Sequence, residues 1–236
     1  MNQRKLLTIG VTGRRHIVPE ALEAVERSAR EFVQRVVRER QGEIRICTGL
    51  AVGADSIIAR AALDAKKQGA DNLRLTAVLP ADPERYERDF KRTPDASGVS
   101  QLDAFHALLA QCDETISLAD PDADAGNPMA CYARLGDWLV ENADVLLAFW
   151  NGNTSIIKRG GTVDVALRKA ARSASDGSRV VCISTPELLR QKNPDGSKTY
   201  IPEPIDGAGN VAVLKGAFDE NAALWQSIED VDLDFC

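Results

Sequence analysis

The feature that most constrains this chain is an alternation. Six short runs rich in Val, Ile and Leu lie at residues 6–11, 44–47, 73–79, 114–118, 144–150 and 179–184. Runs that are apolar along their whole length suit strands buried on both faces, as in a parallel sheet covered by helices. Between them the apolar residues recur at helical spacing. Leu22, Val25, Phe32, Val33, Val36 and Val37 line one face, with Pro19 at a helix start and Gly42 as a stop. Further helices are predicted over residues 56–67, 101–111, 129–142 and 162–173, with a short one at 82–90 and loops at 93–100 and 120–128. The pattern predicts an α/β, Rossmann-like fold: a mostly parallel sheet of about six or seven strands with helices on both faces. Right-handed crossovers then bring every strand-to-helix turn to one edge.

Three of those turns carry glycine. They are Gly10-Val11-Thr12-Gly13-Arg14-Arg15, then Thr48-Gly49-Leu50-Ala51-Val52-Gly53-Ala54-Asp55, then Trp150-Asn151-Gly152 running on to Arg159-Gly160-Gly161-Thr162. Open α/β sheets bind ligands at the carboxyl ends of their strands, where glycine admits close approach and helix N-termini offer N–H groups to anions. The candidate ligand site is therefore Gly10, Thr12, Gly13, Arg14, Arg15, Thr48, Gly49, Gly53, Ala54, Asp55, Trp150, Asn151, Gly152, Gly160, Gly161 and Thr162. Arg14 and Arg15 suit bidentate recognition of phosphate. Gly160, Gly161 and Thr162 open a helix with N–H groups and a hydroxyl, and Lys158 and Arg159 add charge beside them. Asp55 would repel an anion at a helix start and better suits a ribose hydroxyl or base amine. Trp150 offers an apolar or stacking wall. Each turn also has a plainer reading: solvated arginines, a helix cap, a basic loop. Neither the dinucleotide fingerprint nor a Walker A loop occurs.

Bulk properties narrow the classes. With 236 residues, 44% apolar and 27% charged, the chain is of globular type. No apolar run approaches the ~20 residues that span a bilayer, and residues 1–5 lead into a strand rather than a signal peptide. The expectation is a cytoplasmic protein with no membrane partner. Cys47, Cys112, Cys131, Cys182 and Cys236 form no Cys-x-x-Cys pair, and no metal site is expected. Asp120-x-Asp122-x-Asp124 resembles a calcium loop, but its glycine stands at the seventh place and Cys131 replaces the closing glutamate. His16 and His106 are too few for a histidine-rich site. A net charge of −6 with 5% aromatics makes nucleic acid an unlikely partner. Proline, glycine and acidic residues dominate after residue 185. We therefore expect one domain over residues 1–185 and an extension over 186–236, packed on it or trailing it, with one helix near 217–228.

The turns, together with Leu79-Pro80, Tyr86-x-x-Asp89-Phe90 and Asn142-Ala143-Asp144, give the chain a resemblance to the SLOG superfamily. That superfamily holds the LOG-type phosphoribohydrolases, the DprA/Smf proteins and the YpsA-like proteins. The resemblance covers about residues 5–185. It implies a pocket at the carboxyl edge of the sheet for a nucleotide or nucleotide-derived ligand, in modules often coupled to effector proteins. LOG-type enzymes carry a glutamate three residues beyond the threonine of a glycine motif; here that position is Val165, next to Asp164. The reading that follows is a non-catalytic sensor, alone or as a homo-oligomer, with no cofactor beyond its nucleotide-type ligand. The alternative is a nucleoside-5′-monophosphate phosphoribohydrolase, with Asp55 or Asp164 supplying the carboxylate.

Overall fold

A computed structural model describes residues 6–214, apart from 96, 128, 155 and 156, together with 225–227. Its eight-stranded sheet has the order β10-β9-β6-β5-β1-β2-β3-β4. The strands are β1 (Leu7–Gly13), β2 (Ile44–Thr48), β3 (Leu73–Leu79), β4 (Glu114–Ser117), β5 (Val145–Phe149), β6 (Arg179–Ile183), β9 (Val211–Leu214) and β10 (Trp225–Ser227). From β6 to β4 every pairing is parallel, while β9 and β10 join antiparallel at the β6 edge. The six expected strands are all present.

Strand β5 shows why. Val145, Leu147 and Phe149 enter one core, and Leu146, Ala148 and Trp150 enter the other, so both faces are buried. The first core lies under α1 (Leu22–Glu39) and α2 (Ala54–Lys67), with Val25, Phe32, Val33 and Val36 turned inward at helical spacing. The second lies under α6 (Ala130–Asn142) and α7 (Thr162–Asp176). Helices therefore cover both faces. The helices α3 (Pro83–Tyr86) and α4 (Gln101–Leu109) close the first core near β3, where Tyr86, Phe90 and Phe105 meet edge-on or stacked.

Two expectations are corrected. The acidic loop contains a short helix, α5 (Pro121–Gly126), because the Asp120 carboxylate caps it by accepting the Ala123 N–H at 3.1 Å. Beyond residue 185 the chain forms strands. β7 (Leu188–Lys192) and β8 (Lys198–Pro202) make a separate hairpin, and β9 and β10 extend the main sheet. Residues 225–227 of the expected helix are strand β10; the rest of it, residues 217–224 and 228, lies outside the described residues.

Candidate functional site

From β1 the chain proceeds to β2, β3 and β4 on one side, then returns to place β5 on the other. Strand order thus reverses between β1 and β5, which opens a crevice beyond their carboxyl ends, the usual ligand position in such sheets. The turns after β1, β2 and β5 all reach it.

The first two turns lean on each other. Gly53 has φ +89°, and a Cβ there would lie 2.7 Å from the Arg15 carbonyl oxygen. Only glycine tolerates both conditions. The Ala54 N–H at the start of α2 donates to the Arg14 carbonyl at 3.0 Å, so the backbone of turn one already occupies that helix terminus. The third turn leans on α6: Gly160 has φ +73°, and a Cβ would lie 2.6 Å from the Tyr132 carbonyl oxygen. The first turn reaches the same helix through Arg15, whose guanidinium sits 5.5 Å from the Tyr132 ring centroid. The start of α6 therefore joins turns one and three.

Arg14 and Arg15 part company. Arg14 is ion-paired with Glu187 at 2.8 Å. Arg15 is exposed and forms no ion pair among the described residues. It lies close enough to Asp55 to favour that carboxylate's charge. Asp55 turns back onto its own loop and accepts the Ala51 N–H at 3.3 Å. Burial nevertheless pushes its carboxyl up to about 6, against the pull of the Ala51 N–H and Arg15. Around it, Thr48 is buried, Gly49 lies against Asp55 and Leu135, and the Tyr86 hydroxyl donates to the Gly49 carbonyl at 2.9 Å. Leu50 holds φ +56°, a conformation rare for a leucine, and its N–H reaches the Thr48 hydroxyl at 3.3 Å.

Several expected contributors sit elsewhere. Gly10 lies mid-strand beneath Ala143 and Leu139 of α6, and Gly13 lies between Ala54 and Phe149; both make room for packing. Thr12 is buried beside them. Trp150 is 1% exposed within the second core, with its indole N–H on the Asn153 carbonyl, so it presents no wall to a ligand. Asn151 donates to Glu203 at 2.6 Å and accepts the Asn153 N–H, while Gly152 completes that turn at φ +87°. At the head of α7 the Gly160 N–H already donates to Asp164 at 2.9 Å, and the Gly161 N–H donates to the Lys158 carbonyl. Asp164 also accepts two N–H groups of Arg168, while Arg159 pairs with Asp137. Of the calcium-like aspartates, Asp120 caps α5 and Asp124 is paired with Arg134 at 2.8 Å. His106 pairs with Glu87 on an exposed surface away from the crevice.

Residues outside the turns complete the site. Tyr132 lines it, the buried Tyr86 supports the second turn from the core, and Glu187 and Glu203 from the extension brace it. The sequence holds a trace of only one: Glu203 stands alone between two prolines and is 6% exposed. The other ends of the strands carry a groove of about 360 Å³ lined by Glu43, Arg45, Arg74, Asp113 and Glu114. Its charges are satisfied internally, as in Arg45–Glu114 at 3.6 Å and Arg74–Asp113 at 3.7 Å.

Sheet order, covering helices and switch-point crevice define a Rossmann-like α/β protein. No family model and no curated protein matches the chain. Among solved structures, DNA processing protein A from Streptococcus pneumoniae matches with a TM-score of 0.40 and 14% identity, over 76% of this chain and 50% of that one. DNA processing protein A from Helicobacter pylori, described for its single-stranded DNA binding mode, matches with a TM-score of 0.41 and 14% identity, over 74% and 63%. The structural-genomics target TM1055 matches with a TM-score of 0.32 and 10% identity, over 61% of each chain. The chain spans between half and two thirds of the length of these structures. At such identities the likeness concerns the fold.

Proposed function

We propose that the chain is a binding module for a nucleotide or nucleotide-derived ligand, seated between the carboxyl ends of β1 and β5, which it does not cleave. The observation that carries this reading is the placement of Arg15. It is a cation lying over an aromatic ring, without an ion pair among the described residues, beside the half-buried carboxyl of Asp55. A phosphate suits Arg15 and the hydroxyl and N–H of Thr162. A ribose hydroxyl or base amine suits Asp55. The aromatic surface is Tyr132 in place of Trp150. Arg14 acts through Glu187, holding turn one to the extension.

The carboxylates support a ligand that is not cleaved. Glycosidic hydrolysis ordinarily employs a pair of them. Val165 is fully buried in the second core, and Asp164 is held by Arg168 and the Gly160 N–H. Only Asp55 is left. Its carboxyl, pushed up to about 6, is the one observation favouring a phosphoribohydrolase, because a general acid works best near the ambient pH.

Titration calorimetry against mononucleotides, dinucleotides and cyclic nucleotides tests the main reading. The expected result is binding tighter than millimolar, weakened at least tenfold by Arg15→Ala and lost in Gly161→Val. Failure of every nucleotide to bind overturns it. Release of free base from nucleoside monophosphates, abolished by Asp55→Asn, would establish the hydrolase instead.

A further inference from the structure

The hairpin β7–β8 has a charge pattern that the fold does not explain. Its strands pair Leu188 with Pro202, Arg190 with Tyr200 and Lys192 with Lys198. Residues directly opposite each other share a face, and so do alternate residues along a strand. Arg190, Lys192, Lys198 and Tyr200 therefore form one face. All four side chains are exposed, and none of the three cations has an acidic partner among the described residues. Like charges directly opposite one another destabilise a two-stranded pair, and Lys192 faces Lys198 in this way. A hairpin standing apart from the main sheet has little stability to spare. The protein around it carries a net charge of −6, so this cationic face is a local reversal.

The root of the hairpin is fixed to the first glycine turn. The Leu188 N–H donates to the His16 carbonyl at 2.8 Å, Ile17 bridges Glu187, and Glu187 pairs with Arg14. The Tyr200 ring meets the His16 ring edge-on at 6.2 Å, which turns the cationic face toward the loop that carries Arg15. A strand advances about 3.4 Å per residue, so the Lys192–Lys198 rung lies about 7 Å beyond the Arg190–Tyr200 rung. From the loop that carries Arg15, the hairpin thus leads outward through Arg190 to the lysine pair.

The geometry points to this face as the second anion subsite of the crevice: the ligand is a nucleotide with more than one phosphate, whose distal phosphates lie against Arg190, Lys192 and Lys198. This rests on the nucleotide reading above and narrows it to polyphosphates. Distal phosphate would neutralise the opposed lysines, which the fold alone leaves in repulsion.

Calorimetry in EDTA, with the four common nucleoside monophosphates and triphosphates on wild type and on Arg190→Thr/Lys192→Thr/Lys198→Thr, tests it. Threonine keeps the strand preference, and circular dichroism with thermal melting checks the fold. At least one triphosphate should bind tenfold or more tighter than its monophosphate. The triple variant should lose that advantage, keep its monophosphate affinity, and melt no lower than wild type. Equal affinity for the two lengths in wild type, or an advantage that survives in the variant, overturns the inference while leaving the nucleotide reading intact. If no mono- or triphosphate binds, this inference is overturned, and the nucleotide reading falls too when dinucleotides and cyclic nucleotides also fail.

Discussion

Asp55 and Asp164 each stand in the first turn of a helix that follows a glycine-bearing turn, yet the structure gives them opposite characters. Asp164 accepts the Gly160 N–H and both Nε and Nη2 of Arg168, and Arg168 also holds Asp137 of α6. Asp55 accepts the Ala51 N–H at 3.3 Å, has no ion pair among the described residues, and has a carboxyl raised to about 6 by burial. The local sequence is similar. The difference comes from the neighbouring elements: at Asp164, α6 and α7 bring guanidinium and carboxylate together, while Asp55 lies against Gly49, which Leu135 of α6 and the Tyr86 hydroxyl enclose. One turn is cross-linked and the other leaves its carboxyl without an ion pair among the described residues.

The strongest way to break this contrast is to break the contact that sets turn two. Gly53→Ala places a Cβ against the Arg14 and Arg15 carbonyls at φ +89°. Strain and overpacking together should cost about 3 kcal/mol. Urea denaturation should show a lower midpoint, and nucleotide binding should fall with it. A variant as stable as wild type would mean that turns one and two do not lean on each other.

Arg168→Met asks whether Asp164 can be made to resemble Asp55. It removes two hydrogen bonds to the carboxylate and the link to Asp137 while keeping most of the volume. The expected loss is about 2 kcal/mol, read as a lower urea midpoint. An unchanged midpoint would show that packing, and not the ion pair, holds that turn.

Asp55→Asn should act in the opposite direction. The folded carboxyl titrates near 6 and the unfolded one near 3.8, so the folded state is the better proton binder. The contribution of Asp55 to stability is therefore fully favourable below 3.8 and is lost as the pH rises through 6. Asparagine keeps an acceptor for the Ala51 N–H and carries no charge. At pH 8 the variant should be more stable than wild type by about 1–2 kcal/mol, after allowance for partial exposure, with the gain gone at pH 4. Loss of nucleotide affinity alongside that gain would mark Asp55 as a carboxyl held for binding at the expense of stability.

These contrasts explain what the sequence could and could not tell. The six parallel strands were legible because residues such as Val145 to Phe149 are buried on both sides and must be apolar throughout. Strands β7 and β8 were not, since Arg190, Gln191, Lys192, Lys198 and Thr199 face solvent and carry no apolar alternation. The short helix α5 rests on one cap rather than on a buried stripe. At the site, the convergence of the glycine turns was legible and the duties of their residues were not. Gly10, Gly13 and Trp150 serve packing, and whether a residue meets ligand or core depends on which helix covers it. Glu203 reaches Asn151 across 52 residues of chain, and no local pattern announces such a contact.

The smallest structural effect should come from the residue with the largest expected effect on binding. Arg15 is exposed, has no ion pair among the described residues, and lies over the face of Tyr132. An exposed cation–π contact contributes about 0.5–1 kcal/mol, so Arg15→Ala should shift the urea midpoint little. Arg14→Ala, by contrast, removes the pairing with Glu187 that ties turn one to the extension, and should cost more stability than Arg15→Ala. If the two arginines divide in this way, nucleotide affinity should fall at least tenfold in Arg15→Ala at nearly wild-type stability. In Arg14→Ala the loss of stability should come first, and any loss of affinity should be recovered under stabilising conditions. Equal stability losses in both variants would mean that Arg15 is a brace like its neighbour, and the crevice would then lack its free cation.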